Sequence, residues 1–480
     1  MTGVLCYELN EVPWRVLDLY VDRRPRSNVA KLLTDAAQIT THTSDSGELH
    51  PWSTWPTMHR GVTNDVHNIR FINQDRSCAD GTPPLWELVA ESGKTVGIAG
   101  CLQSYPPLRR QEVLFHIPDT FSPGADAQPK RYERFQSINL ELTGENRAVQ
   151  GRLSAKDLVA GLGLLGTGVS VGSAAQIALH LAREKLNPLH RARRPIMQAH
   201  LAFDVFMDAL KRSTPTYAAV FSNHVAGMMH RYWKQAFPDD FGLSSMTTKA
   251  DRFHSGSILA AMDIFDAQLG RLLAFAKDSY DVVIASSMGQ EAIERGEYHP
   301  ELLLKDVGPL AGQLGFERPV RMNLAMQPDV ALEFQSEVDL EEFRSLLPEF
   351  TDTLGGPVLV QRYPAQGRTL NLSLVRSPAT VQSETLLFRG RRIQIELLGL
   401  RLISRDQGTG YHQPKGILIW RGAHQPKVAH RQEVDSRQYA PTILRAIGVN
   451  PPEYMMPAIG SRVPLVGEQL ESDAPLPQAA

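Results

Sequence analysis

The sequence predicts an α/β protein, a mixed and mostly parallel sheet sandwiched by helices. Three observations carry this expectation. Apolar runs GVLCYEL (3–9), TVGIAGCL (95–102), TYAAVFS (216–222), DVVIASS (281–287) and GILIWRG (416–422) are near-continuous rather than alternating. Strands covered on both faces, parallel ones above all, read this way. Helical patterns lie between them, and strands alternating with helices make a sheet wound on both sides. The length of 480 residues suits one large α/β domain with insertions.

The elements follow in order. GVLCYEL is the first strand, leading to the polar Asn10 and Glu11. SGSILAAMDIFDAQLGRLLAFAKD (255–278) sets Ile258, Leu259, Met262, Phe265, Leu269, Leu272 and Leu273 on one face behind a Ser cap. Two regions interrupt the rhythm of a single domain spanning 1–470. Residues 105–205, rich in Pro, Arg and helix patterns, read as a helical cap insertion. Residues 318–400 hold β-like runs such as GPVLVQRY and TLNLSLV and read as an α+β insertion. The tail 471–480, SDAPLPQAA included, is expected to be disordered.

Composition narrows the function. Lys plus Arg total 50 against 52 for Asp plus Glu, a net charge of −2, so no nucleic-acid surface is expected. The cysteines Cys6, Cys78 and Cys101 form neither a disulfide framework nor a CxxC metal site. With no secretory pattern at the N-terminus, a cytoplasmic location is expected. The segment 158–182 has no Asp, Glu, Lys or Arg and is long enough to span a bilayer. Its many glycines favour a turn followed by a buried helix near Ser173–Lys185, with membrane association the minor alternative.

In open α/β sheets, sites gather beyond the carboxyl ends of the strands. There the sequence places Glu8, Asn10 and Glu11; Ser222, Asn223, His224 and His230; Ser286, Ser287 and Gln290; and Tyr411-His412 ahead of the last strand. Residues two apart in a strand share a face, which pairs Glu8 with Asn10. Each has a structural alternative, such as a turn or a core histidine, but their convergence on one edge reads as a site. The stretch HPWSTWPTMHRG (50–61) has two readings. Thr54 is a helix cap in a buried turn, or a nucleophile held at a helix N-terminus.

These stretches, in this order, resemble the alkaline phosphatase superfamily, especially its nucleotide pyrophosphatase/phosphodiesterase-like branch. LNEVPWRVLDLY resembles the opening strand and helix, and STWPTMHRGV the nucleophile segment. VHNIRFINQD (66–75) and PPLWELVAESGKTVGIAGCLQSYPP (83–107) are similar to the parts that follow. FSNHVAGMMHRYW (221–233) resembles the Asp-x-x-x-His segment, and DVVIASSMGQ the Ser-Asp-His-Gly segment. GYHQPKGILIWRG resembles the last histidine ligand and strand, and YAPTILRAIGVNPPEYM (439–455) the closing helix.

The resemblance implies a phosphoester hydrolase or phosphotransferase, in that branch of phosphodiesters, with Thr54 as nucleophile and His230 and His412 as metal ligands. Two metal ions normally activate the hydroxyl and neutralise the phosphoryl group. Here Asn10 stands for the first aspartate, Ala226 for the Asp of Asp-x-x-x-His, and Ser287-Met288 for the Asp-His pair. The expectation is therefore an altered site with one divalent cation, zinc or manganese, held by His230, His412 and Asn10, with His224 or Glu8 as substitutes. His224 is also the expected general base for Thr54, with Ser287 and Asn223 on a small-molecule phosphoester substrate. The alternative is a non-catalytic ligand-binding or scaffold protein that retains the fold.

Overall fold

A computed structural model describes residues 3–72, 74–146, 167–294, 301–323, 325, 329–361, 365, 367–375, 384–403 and 408–460. Six strands, β1 (Gly3–Leu9), β2 (Ala37–His42), β3 (Val96–Ala99), β4 (Val113–Ile117), β5 (Tyr217–Ser222) and β6 (Tyr280–Ala285), join Lys415–Arg421 and Gln432–Asp435 in one sheet. Its order is Gln432–Asp435, β2, Lys415–Arg421, β6, β1, β5, β3, β4. Lys415–Arg421 runs antiparallel to β2 and β6, and every other pairing is parallel. The parallel expectation for 416–422 thus fails on direction: a continuous apolar run reports burial on two faces, which either orientation satisfies.

Alternation along β1 divides the core. Leu5, Tyr7 and Leu9 face α1 (Trp14–Arg23) and the helices Gln198–Ser213 and Ser257–Ala276. Val4 and Cys6 face the other side, where α3 (Pro51–Arg60) and Tyr439–Ala446 contribute Trp55, Met58, Tyr439 and Ile443; the short α2 spans Asn28–Leu32. Within Ser257–Ala276, Ile258, Met262, Phe265, Leu269 and Leu272 are buried, while Leu259 and Leu273 are partly covered.

Two expected regions differ in detail. The range 105–205 is not purely helical, because it supplies β4 to the main sheet, and Phe203 joins the main core. The helix expected to be buried runs Val171–Leu186 and lies on the surface, with Val171 77% and Leu186 86% exposed. Its inward side is polar instead, with Ser173, His180 and Glu184 buried. Residues 158–166 lie outside the described residues, and no described helix is long and apolar enough to cross a membrane.

The described residues between 301 and 403 build a second core around Leu310, Leu332, Phe343, Leu370 and Leu398. It holds a four-stranded sheet in the order Leu359–Gln361, Thr369–Leu374, Asp329–Phe334, Val320–Asn323. Leu302, Leu304 and Phe316 belong to this core, so it begins ahead of residue 318. The tail 471–480 lies outside the described residues.

Candidate metal centre

The site starts where β1 ends. Asn10 is fully buried, and the next residue, Glu11, adopts the left-handed conformation with φ +62°. For a residue with a side chain this costs about 1–3 kcal/mol and persists only where surroundings fix it. Here they do. Asn10 Nδ2 donates to Glu11 Oε1 at 2.7 Å, and Gln290 Nε2 donates to Glu11 Oε2.

The same Oε2 lies 2.9 Å from His230 Nε2 and 3.4 Å from His412 Nε2. One ligand atom from each of the three residues falls within 4.8 Å of the others. His230 sits on the helix His224–Ala236, and its Nδ1–H donates to the Gly410 carbonyl at 3.0 Å. That bond fixes the tautomer whose Nε2 carries a lone pair, the usual support of a metal-binding imidazole. A lone pair facing a carboxylate is repulsive unless positive charge lies between them, so this point calls for a proton or a cation.

His412 arrives on a short strand that pairs with one far away in the sequence. Gly410–Gln413 pairs antiparallel with Gly289–Ala292, which sets His412 opposite Gln290. The approach needs glycine: a Cβ on Gly410 would lie 2.5 Å from the Met229 carbonyl oxygen, on the helix that carries His230. His412 Nδ1 is buried with no hydrogen-bond partner among the described residues. Trp52 stacks on His50 at 4.6 Å, and the His50 ring lies 5.8 Å from that of His412. Burial alone would raise the Glu11 carboxyl, but the facing His412 and His230 outweigh it and hold it well below the usual carboxylate range. His230 keeps the centre open, its side chain being 32% exposed.

The structure places the other sequence candidates as follows. Asn10 is not the residue beside the histidines. Its Oδ1 accepts from Trp55 Nε1 at 2.8 Å and its Nδ2 bonds Glu11 and Asn223, so the amide is used up holding neighbours. Glu11, and not Asn10, Glu8 or His224, is the residue that faces the two histidines. Strand alternation pointed to Asn10; the left-handed turn, invisible to a period-two pattern, brings in Glu11. Gln290 follows β6 in the chain, but its bond to Glu11 depends on the long-range pairing of Gly289–Ala292 with Gly410–Gln413.

Thr54 lies inside α3, its N–H donating to His50 O at 2.9 Å, so the cap reading fails. Its Oγ1 is 2.7 Å from Ser287 Oγ, and both residues are fully buried. His224 does not join Thr54: its Nδ1 bonds Ser222 Oγ at 2.7 Å and its Nε2 bonds Ala261 O at 3.1 Å. Burial drives its pKa down to about 3. Glu8 is turned away too, bonded at 2.6 Å to the buried His59. Asn223 accepts from Asn10 at 2.6 Å and lines a cavity of about 250 Å³ with Phe121, Phe135, Phe221 and Arg231.

No family model matches the chain, and no curated protein matches it. Among solved structures it is similar to murine ectonucleotide pyrophosphatase/phosphodiesterase 5, at 10% identity over 96% of this chain and 97% of that one, TM-score 0.41. It is also similar to phosphonoacetate hydrolase from Sinorhizobium meliloti 1021, solved with phosphonoacetate, at 12% identity over 93% and 95%, TM-score 0.41. A third is a TAB5 alkaline phosphatase mutant with Mg bound, at 10% identity over 94% and 99%, TM-score 0.37.

Proposed function

We propose that Glu11, His230 and His412 hold one divalent cation, zinc or manganese, and that the chain hydrolyses or transfers at a phosphoester, with phosphodiesters as the first class. The observation that carries this is the convergence of one carboxylate oxygen and two imidazole nitrogens within 4.8 Å on a partly open edge. Two histidines and a glutamate with an open position form a hydrolytic zinc ligand set.

When bound, such a cation neutralises phosphoryl charge and lowers the pKa of a hydroxyl or water. The chain's own groups do the rest. Asn10 and Gln290 aim the Glu11 carboxylate, and the Gly410 carbonyl aims His230. Asn223, with its Oδ1 occupied by Asn10, keeps its amide N–H groups for a phosphoryl oxygen. Thr54 is held in place on α3 by the bond from its N–H to His50 O. In this reading Thr54 Oγ1 bonds to phosphorus as the bond from phosphorus to the ester oxygen breaks; Ser287 Oγ takes the Thr54 proton while releasing its own, which ends on the departing oxygen as the alcohol; water then cleaves the phosphothreonine, releasing the phosphoryl group and restoring the Thr54 hydroxyl.

A second reading, a binding protein on the same fold, is favoured by one feature: Thr54 is fully buried, with its hydroxyl already paired. Turnover of an aryl phosphodiester by wild type, by Thr54→Ala and by EDTA-treated protein separates the two. The enzyme reading expects turnover lost in the variant and restored after EDTA by added zinc or manganese. Bound metal without any Thr54-dependent turnover selects the binding protein.

A further inference from the structure

A second cavity, of about 570 Å³, lies between the helix Val171–Leu186, the turn Pro188–Met197 and the helix Ser257–Ala276. Its volume is that of a small-molecule site. Arg183, Arg193, His180 and His190 line it, above an apolar floor that includes Ile196 and Ile264. The carboxylates around it already have arginine partners: Glu184 with Arg194 at 2.9 Å, Asp204 with Arg271 at 2.6 Å, and Asp263 with Arg24 at 3.1 Å.

Arg183 and Arg193 have no such partner among the described residues. Arg193 lies over the Phe253 ring at 4.1 Å and donates to Phe253 O at 2.7 Å and Ser257 Oγ at 3.0 Å. That uses two of a guanidinium's five N–H donors. The buried His180 has its Nε2 3.3 Å from Glu184 Oε1 without a hydrogen bond. Two uncompensated guanidiniums beside two imidazoles repel a metal ion and attract an anion, and arginine forks suit phosphate and carboxylate.

We propose that this cavity binds a small organic anion, a phosphate or carboxylate group held by Arg183, Arg193 and His190 with an apolar body on the Ile196 and Ile264 floor. It is separate from the metal centre and needs neither the cation nor Thr54. The test is calorimetric titration of EDTA-treated full-length protein with phenylphosphonate and, separately, phenylacetate. One site per chain is expected for at least one probe, the tighter probe naming the anion.

Arg183→Glu, on an exposed helix position, should weaken binding by about tenfold or more, the scale of one charge-assisted hydrogen bond. Thr54→Ala should change it by less than about twofold, as a distant and independent site does. Arg183→Lys, which keeps the charge and not the fork, should fall between wild type and Arg183→Glu. No heat of binding with either probe at millimolar concentration, or equal affinity in Arg183→Glu and wild type, overturns the proposal. So does binding that is lost in Thr54→Ala.

Discussion

Glu8 and Glu11 stand at the same end of β1, both buried and both against histidine, yet they make different kinds of site. Glu8 meets one imidazole, His59, at 2.6 Å in an interior where both side chains are at most 1% exposed. Glu11 meets two, and one of them, His230, reaches solvent. The first pair joins β1 to α3 and admits nothing; the second gathers three ligand atoms around one point. Trp55 connects them, its N–H on Asn10 Oδ1 and its ring stacked at 5.5 Å on His59. The same chemistry of carboxylate and imidazole thus serves stability where it is sealed and offers a ligand set where it is open.

The sharpest way to break the comparison is at the sealed pair. His59→Ala strips the buried Glu8 of its imidazole partner, and losing one member of such a pair typically costs about 3–5 kcal/mol. Denaturant unfolding should show that loss, while the folded fraction keeps its cation. At the open site the pattern reverses. Glu11→Gln should lower zinc affinity by about a hundredfold or more, and shift metal-free stability by only about 1 kcal/mol. Competition with a chelating dye and a thermal melt would read the two effects.

This contrast also marks how far the sequence could be read. The buried runs at 3–9, 216–222 and 281–287 announced the central strands, because a strand covered on both faces has no other composition. His230 and His412 are readable as a pair only through the resemblance, and His230 stands inside the helix His224–Ala236 rather than at a strand end. Glu11 was not singled out, because its role depends on one backbone angle that turns the chain out of strand alternation. His224 looked like a base by proximity along the chain, but only the fold shows both its nitrogens engaged with Ser222 and Ala261. The surface position of Val171–Leu186 was hidden for a related reason: apolar residues point outward while His180 and Glu184 turn inward.

Acid should weaken the fold more gently, through its sealed histidines. Burial first of all lowers His67, His116 and His224 to about 3. Below an unfolded value of about 6.5 the unfolded chain binds these protons and the native one does not. Stability therefore falls as pH drops from about 6.5 towards 3, by about 1.4 kcal/mol per unit for each group. Asp45 and Asp119, raised to about 6 chiefly by burial, act in the opposite direction between about 6 and 4. Unfolding measured across this range should show a net loss on acidification that is shallower in His116→Gln.

The smallest effect is expected from the residue that only steadies Glu11. Gln290→Ala removes its donor to Oε2 and should weaken cation binding by about tenfold without abolishing it. Equal affinity in the variant would mean that the Asn10 bond alone holds the carboxylate.

The most direct measurement is elemental analysis of the purified protein after equilibration with zinc or manganese and removal of free metal, run beside His230→Ala and Glu8→Gln. One cation per chain is expected in wild type and in whatever Glu8→Gln remains folded, and none in His230→Ala. Wild type without bound metal, or His230→Ala carrying as much as wild type, would contradict this.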